Sequence, residues 1–188
     1  MLDTHYFFAL SLPDDMKEVI HEMTAPMRKR EAFKKWVHPD DYHITLAFLG
    51  NAPQDDLESA IDKAESTLCN REGFTLSCNR FGTFGKEDQP RILWMGVNPC
   101  SGLHQIREEV YGACEEAGFQ LDTRPFAPHI TIGRKWNLPT SFLKEWLSGF
   151  NTEDTGFHHI KEVVLYKTHM DRTPKYEAVH AIQLKDPS

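Results

Sequence analysis

The chain lacks any apolar stretch long enough to span a bilayer. Its longest N-terminal apolar run, Tyr6-Phe7-Phe8-Ala9-Leu10, is broken by Ser11 and Pro13 and followed by Asp14-Asp15. That is too short for a spanning helix and has no basic start like that of a signal peptide. Disulfide chemistry is equally absent from the pattern. The four cysteines, Cys69, Cys78, Cys100 and Cys114, form no C-x-x-C pair, so reduced thiols in a cytoplasmic protein are expected. Positive charge is short too: the formal charge is −7 and the pI about 5.8. A protein that grips duplex nucleic acid by its phosphates normally carries a basic face, and this acidic balance argues against that role. A small basic pocket for one phosphate remains possible. No low-complexity tract and nothing like a coiled coil occurs, so a monomer is expected. The 188 residues suit one domain or two small lobes around a cleft.

What the chain does contain is a repeat. His43-Ile44-Thr45-Leu46 and His129-Ile130-Thr131-Ile132 are nearly the same tetrapeptide, 86 residues apart (129 − 43). Pro13 lies 30 residues before His43, and Pro99 lies 30 residues before His129. Each proline closes a short apolar strand, Tyr6 to Leu12 and Ile92 to Val97. A helix should follow each: Asp14 to Arg30, with Met16, Val19, Ile20, Met23 and Met27 at helical spacing, and Ser101 to Ala117, with Leu103, Ile106, Val110 and Cys114. Asp14 and Ser101 are the expected N-caps, and Gly118 the stop of the second helix. Beyond the histidines, Pro53 to Cys69 reads as a helix and Pro139 to Leu147 as a shorter counterpart. Strands are expected from Gly73 through Cys78, from Gly156 through Leu165, and from Tyr176 to Leu184.

Each half therefore reads strand, helix, His-containing strand, helix, strand, with the units at approximately 5–84 and 91–184. The expected fold is α+β, a single domain over 1–188. It would be bilobal, a pseudo-twofold pair of antiparallel sheets with helices on the outer faces and a central cleft.

A bare His-x-Thr count means little, since about 0.7 such triplets arise by chance from 10 His and 13 Thr. The paired, equally spaced context is what carries weight. On a strand, residues two apart share a face, so His43 stands with Thr45 and His129 with Thr131, while Ile44, Leu46, Ile130 and Ile132 face the core. Opening a cyclic phosphodiester with water needs one base and one acid, and histidine titrates near neutrality. The threonine hydroxyls can donate to phosphate oxygens as charge builds there. Neither motif has a second His, Cys, Asp or Glu placed to complete a metal-ligand set, so no metal is expected.

These motifs, together with Tyr6-Phe7-Phe8-Ala9-Leu10-Ser11-Leu12-Pro13, the run from Trp36 to Gly50, Pro90 to Val97 and Phe126 to Arg134, resemble the bacterial and archaeal RNA 2′,3′-cyclic phosphodiesterases. These are the 2′-5′ RNA ligase-like branch of the 2H phosphoesterase superfamily, and the likeness covers essentially the whole chain. The resemblance implies catalytic His43 and His129, and a phosphate held by Thr45, Thr131 and Arg134. It also implies no cofactor and hydrolysis of RNA 2′,3′-cyclic phosphate ends to a 2′-phosphate. The same pair could run backwards as a 2′-5′ ligase. A guanidinium at Arg134 suits phosphate by its fixed donors. One departure from the family is Thr4-His5, where an arginine is frequent.

Symmetry leaves open which histidine is acid and which base. His43 is preferred as the donor to the leaving 3′ oxygen and His129 as the activator of water. Phe48, Phe81, Phe84, Trp94 and Phe126 are candidates to stack a base, and Lys86 and Arg91 to approach an RNA strand. Two alternatives stand beside this reading: a non-catalytic RNA- or nucleotide-binding module, and a phosphoesterase acting on a small cyclic nucleotide.

Overall fold

The computed structural model describes residues 4–150 and 154–187. Their order is β1 (Tyr6–Ser11), α1 (Asp14–Lys29), β2 (Phe33–Trp36), a 3-10 turn (Pro39–Asp41), β3 (His43–Gly50), α2 (Gln54–Leu68), β4 (Phe74–Leu76), β5 (Cys78–Gly85), β6 (Pro90–Val97), α3 (Ser101–Glu116), β7 (His129–Trp136), α4 (Glu145–Ser148), β8 (His158–Ile160), β9 (Glu162–Thr168) and β10 (Tyr176–Gln183).

The helices follow their apolar stripes. Met16, Ile20 and Met27 of α1 are buried, as are Leu57, Ala60, Ala64 and Leu68 of α2 and Leu103, Ile106, Val110 and Cys114 of α3. Two expected caps differ. Pro13 and Cys100 occupy the N-cap positions of α1 and α3, and neither helix has a side-chain cap. Asp14 and Asp15 instead sit in the first turn of α1, where negative charge meets the positive end of the helix dipole. Gly118 does stop α3: it turns left-handed at φ +96°, and the Phe119 N–H closes on the Cys114 carbonyl at 3.0 Å.

Three other segments depart from the pattern. Of the expected helix at 139–147 only the last three residues are helical, as the start of α4 (Glu145–Ser148). The Trp136 indole N–H takes the Thr140 carbonyl at 2.8 Å, and the Asp88 carbonyl takes the Phe142 N–H at 2.8 Å. These contacts remove backbone groups that a helical turn would need. The strand from Gly73 divides at Ser77 into β4 and β5, and the strand from Gly156 divides at Lys161 into β8 and β9. At the first break the buried Ser77 donates to Asp154 and accepts from Asn98. β4 and β8 pair with each other apart from the main sheet.

In place of two separate sheets, the main strands form one eight-stranded antiparallel sheet, ordered β10-β9-β1-β3-β7-β6-β5 with β2 also on β7. The β3–β7 seam divides it into two wings, β10-β9-β1-β3 and β7-β6-β5. Each therefore takes strands from both halves of the chain. β3 and β7 pair only at Ile44↔Ile130. Beyond that point β7 turns to β2, with the Val37 N–H reaching the Ile132 carbonyl at 2.9 Å and Lys35 opposite Arg134. Because β3 and β7 splay apart after one shared residue pair, a cleft opens at the seam. Ile44 and Ile130 are fully buried beneath it.

Candidate functional site

The seam explains how two remote tetrapeptides meet. Antiparallel pairing at Ile44↔Ile130, extended by one residue each way, sets His43 opposite Thr131 and Thr45 opposite His129. All four share the face opposite to the buried isoleucines. The burial patterns of the two strands run alike through their first five residues, with the His and Thr half-buried and the residues between them buried. The structure thus brings together all four residues that the motifs singled out.

Both rings are aimed in the same way. His43 Nδ1 lies 2.7 Å from the Asp41 carbonyl and His129 Nδ1 lies 2.7 Å from the Ala127 carbonyl. A carbonyl only accepts, so each Nδ1 carries a proton and each neutral ring presents the Nε2 lone pair. The Thr45 hydroxyl stands 3.1 Å from His43 Nε2 and donates to it.

A matched pair of bulges then adds two residues to the face. Pairing of β3 with β1 skips Leu46, and pairing of β7 with β6 skips Ile132; these positions are again 86 apart (132 − 46). An extra residue in a strand flips the phase of the residues after it. Phe48 and Arg134, five residues after their histidines, so return to the cleft side. Arg134 lies near enough to His43 to oppose its protonation, and its guanidinium stands beside the Tyr176 hydroxyl. Phe48, 54% exposed, joins Thr45 and His129 around a hollow of about 580 Å³.

The two histidines differ in what surrounds them. Phe7 (ring centroids 4.9 Å apart), Tyr176 (5.0 Å, edge-on) and Tyr166 (6.1 Å) enclose His43. Burial in this wall lowers its pKa to about 4, against the opposing pull of Asp41 and with help from the positive charges of His129 and Arg134. Among the described residues His129 has one ring partner, Phe84 at 4.9 Å, itself 5.3 Å from Trp94. Trp94 lies across Gly82, where a Cβ would come within 2.2 Å of the indole. A glycine there lets the stack behind His129 lie close to the strand.

Sequence reasoning missed Asp41 and Tyr176. Asp41 is buried, and its carboxylate accepts the backbone N–H groups of Lys175 (2.9 Å) and Tyr176 (3.1 Å). Its own carbonyl holds His43. One residue therefore fixes the histidine ring and the start of β10, with the tyrosine that walls it. The available signal was position: Asp41 precedes His43 by two, where the second repeat has Ala127. Of the aromatic candidates, Phe48, Phe84 and Phe126 line the hollow, whereas Phe81 belongs to the core. Lys86 and Arg91 are exposed beside the β5–β6 turn and do not line it.

Comparison with known proteins fits this geometry. The family model of the 2′-5′ RNA ligase superfamily matches residues 12–172. The chain belongs to that superfamily. It is 41% identical over 184 residues to an RNA 2′,3′-cyclic phosphodiesterase of Geobacillus stearothermophilus, covering 98% of this chain but 58% of that protein. The chain thus spans little more than half the length of that relative. A Bacillus subtilis protein of the same name is 30% identical over 96% of each chain. Among solved structures, E. coli LigT complexed with 3′-AMP superposes with a TM-score of 0.80 at 25% identity, covering 98% of this chain and 99% of that one. A Thermus thermophilus protein, at 21% identity and TM-score 0.78, supports the fold alone. Among the described residues, no helix is long and apolar enough to cross a membrane.

Proposed function

We propose that the cleft hydrolyses RNA 2′,3′-cyclic phosphate ends to 2′-phosphomonoesters by a metal-independent, two-histidine mechanism. The observation that carries this reading is the Ile44↔Ile130 register, which sets two His-Thr pairs on one face with both Nε2 atoms unprotonated in the neutral rings. The superfamily membership and the names of the curated relatives support the same activity.

In this reading the phosphate sits between the two strands, with Thr45, Thr131 and Arg134 donating to its non-bridging oxygens. His129 takes a proton from water, whose oxygen bonds to phosphorus. The bond from phosphorus to the 3′ oxygen breaks, and His43 Nε2 gives that oxygen a proton. The 2′ ester bond stays, leaving a 2′-phosphate. The two histidines then exchange their protons with solvent. With an RNA 5′-hydroxyl in place of water as the attacking group, the same displacement joins RNA ends through a 2′-5′ bond.

His43 is neutral in the free protein at pH 7, because burial holds its pKa at about 4. Its proton must therefore arrive with the substrate. The negative phosphate favours the imidazolium that burial disfavours, so binding takes up a proton and arms the acid. We further propose that the protein acts as a monomer in the cytoplasm.

The test is turnover of adenosine 2′,3′-cyclic phosphate and of a short RNA ending in a cyclic phosphate, with EDTA present. Wild type, His43→Ala and His129→Ala are compared, and the product's phosphate is located. Release of a 2′-phosphate that either substitution abolishes is the expected result. A folded wild type that turns over neither substrate, or one silenced by EDTA, overturns the proposal.

A further inference from the structure

We propose that the hollow beside His129 is a second phosphate subsite, which takes the phosphodiester on the 5′ side of the cyclic end. The substrate is then an RNA chain rather than a free nucleotide. This inference rests on the cyclic-phosphate reading of the cleft.

The hollow, of about 580 Å³, opens directly on Thr45 and His129. That is the size of a nucleotide-like ligand and far above that of an ion. Its outer wall is α3 and the segment 121–127, which contribute Arg107, Tyr111, Asp122, Arg124 and Phe126. The two arginines are not equivalent. Arg124 is taken by Asp122, with Nε 3.0 and 2.8 Å from the carboxylate oxygens. Arg107 is held by rings instead: its guanidinium carbon lies 3.9 Å from the Tyr111 ring centroid and 5.3 Å from that of Phe126. Among the described residues its buried Nε–H has no hydrogen-bond partner. The three charges sum to +1, and Arg107, unlike Arg124, makes no hydrogen bond to the carboxylate. A guanidinium held by ring stacking with donors to spare is suited to a phosphate diester, which it meets with paired N–H groups.

The direction of the RNA follows from its chemistry. A 2′,3′-cyclic phosphate closes both hydroxyls of the last ribose, so the rest of the chain leaves only through the 5′ carbon. The next phosphate is then one nucleotide away, and the hollow borders His129 and Thr45. The other lobe offers no match. Subtracting the repeat spacing places His21 and Ala25 of α1 where α3 has Arg107 and Tyr111 (107 − 86 and 111 − 86).

The test compares adenosine 2′,3′-cyclic phosphate with the diadenylate ending in the same cyclic phosphate, using wild type, Arg107→Gln and Arg107→Lys. Wild type should show a KM about tenfold lower for the diadenylate, the worth of one charge-assisted hydrogen bond. Arg107→Gln should erase that gap with kcat unchanged and the mononucleotide KM within about twofold; Arg107→Lys should keep part of it. A wild type without a KM gap overturns the subsite. So does an Arg107→Gln protein of normal melting temperature that weakens both substrates alike, and if that variant melts early the lysine variant decides. Failure to turn over either substrate overturns the cyclic-phosphate reading instead. The subsite is then judged by equilibrium binding of diadenylate 2′-phosphate, which must still be weakened by Arg107→Gln.

Discussion

His43 and His129 sit in the same tetrapeptide, on matching strands, with the same carbonyl behind each Nδ1, and yet in unlike surroundings. His43 is enclosed by Phe7, Tyr166 and Tyr176, whereas His129 borders an open hollow and, among the described residues, touches the ring of Phe84 alone. The residues brought round by the two bulges differ in kind as well: Arg134 lies near His43, whereas Phe48 lines the hollow that borders His129. The shared part sets tautomer and aim, which both halves of an acid–base pair need. The unshared part sets proton affinity and what each ring meets. A duplicated motif can supply geometry, but only a difference between the copies can give a reaction a direction.

The comparison is tested most harshly by deleting each ring. His43→Ala and His129→Ala should each lower kcat by about a thousandfold or more, the scale of a lost acid or base, despite their unequal burial. A loss confined to one of them would break the pairing. A smaller effect concerns pH. The folded pKa of His43, about 4, lies below the ordinary histidine value of 6.5, so the unfolded chain binds the proton more tightly. Stability is then full above pH 6.5 and declines as pH falls towards 4, by about 3 kcal/mol. Denaturant melts at several pH values should show that slope, and His43→Gln should remove this share of it. The same group should take up a proton when phosphate binds, visible as a rise in its imidazole pKa by NMR.

Asp41 and Ala127 sharpen the contrast further, since they occupy the same place in the two halves. Both lend a carbonyl to a histidine, but only Asp41 also holds Lys175 and Tyr176 by its carboxylate. Asp41→Ala should cost about 2 kcal/mol in thermal or denaturant unfolding, by leaving buried N–H groups unpaired. It should also lower kcat. Ala127→Gly should do neither to a comparable degree. The smallest expected effect is that of Tyr176→Phe. It keeps the ring against His43 and removes the hydroxyl beside Arg134, and kcat/KM should fall about threefold to tenfold, the range of one hydrogen bond.

Much of this was legible in the residues. The 86-residue spacing gave the paired motifs, their shared face and the isoleucines beneath them, because strand alternation is a local rule. Helices α1, α2 and α3 followed from apolar stripes. What stayed hidden depended on contacts between distant segments. Nothing local to Pro139 announces that Trp136 and Asp88 claim the carbonyl and N–H of a helical turn. Ser77 divides a strand because Asp154 and Asn98 engage it from elsewhere in the chain. Arg134 is even where His129 and Thr131 are odd, so simple alternation sends it to the wrong face, and only the bulge at Ile132 returns it. Asp41 and Tyr176 are 135 residues apart, and their partnership needs the fold itself.

The seam at Ile44 and Ile130 has one more consequence. The strands that carry both His-Thr pairs are also the stitch that joins the two wings of the sheet, and the stitch is a single residue pair long. Any shift of that pairing moves the two imidazoles relative to each other directly. On the chemistry proposed above, turnover is therefore the readout that registers strain at this joint.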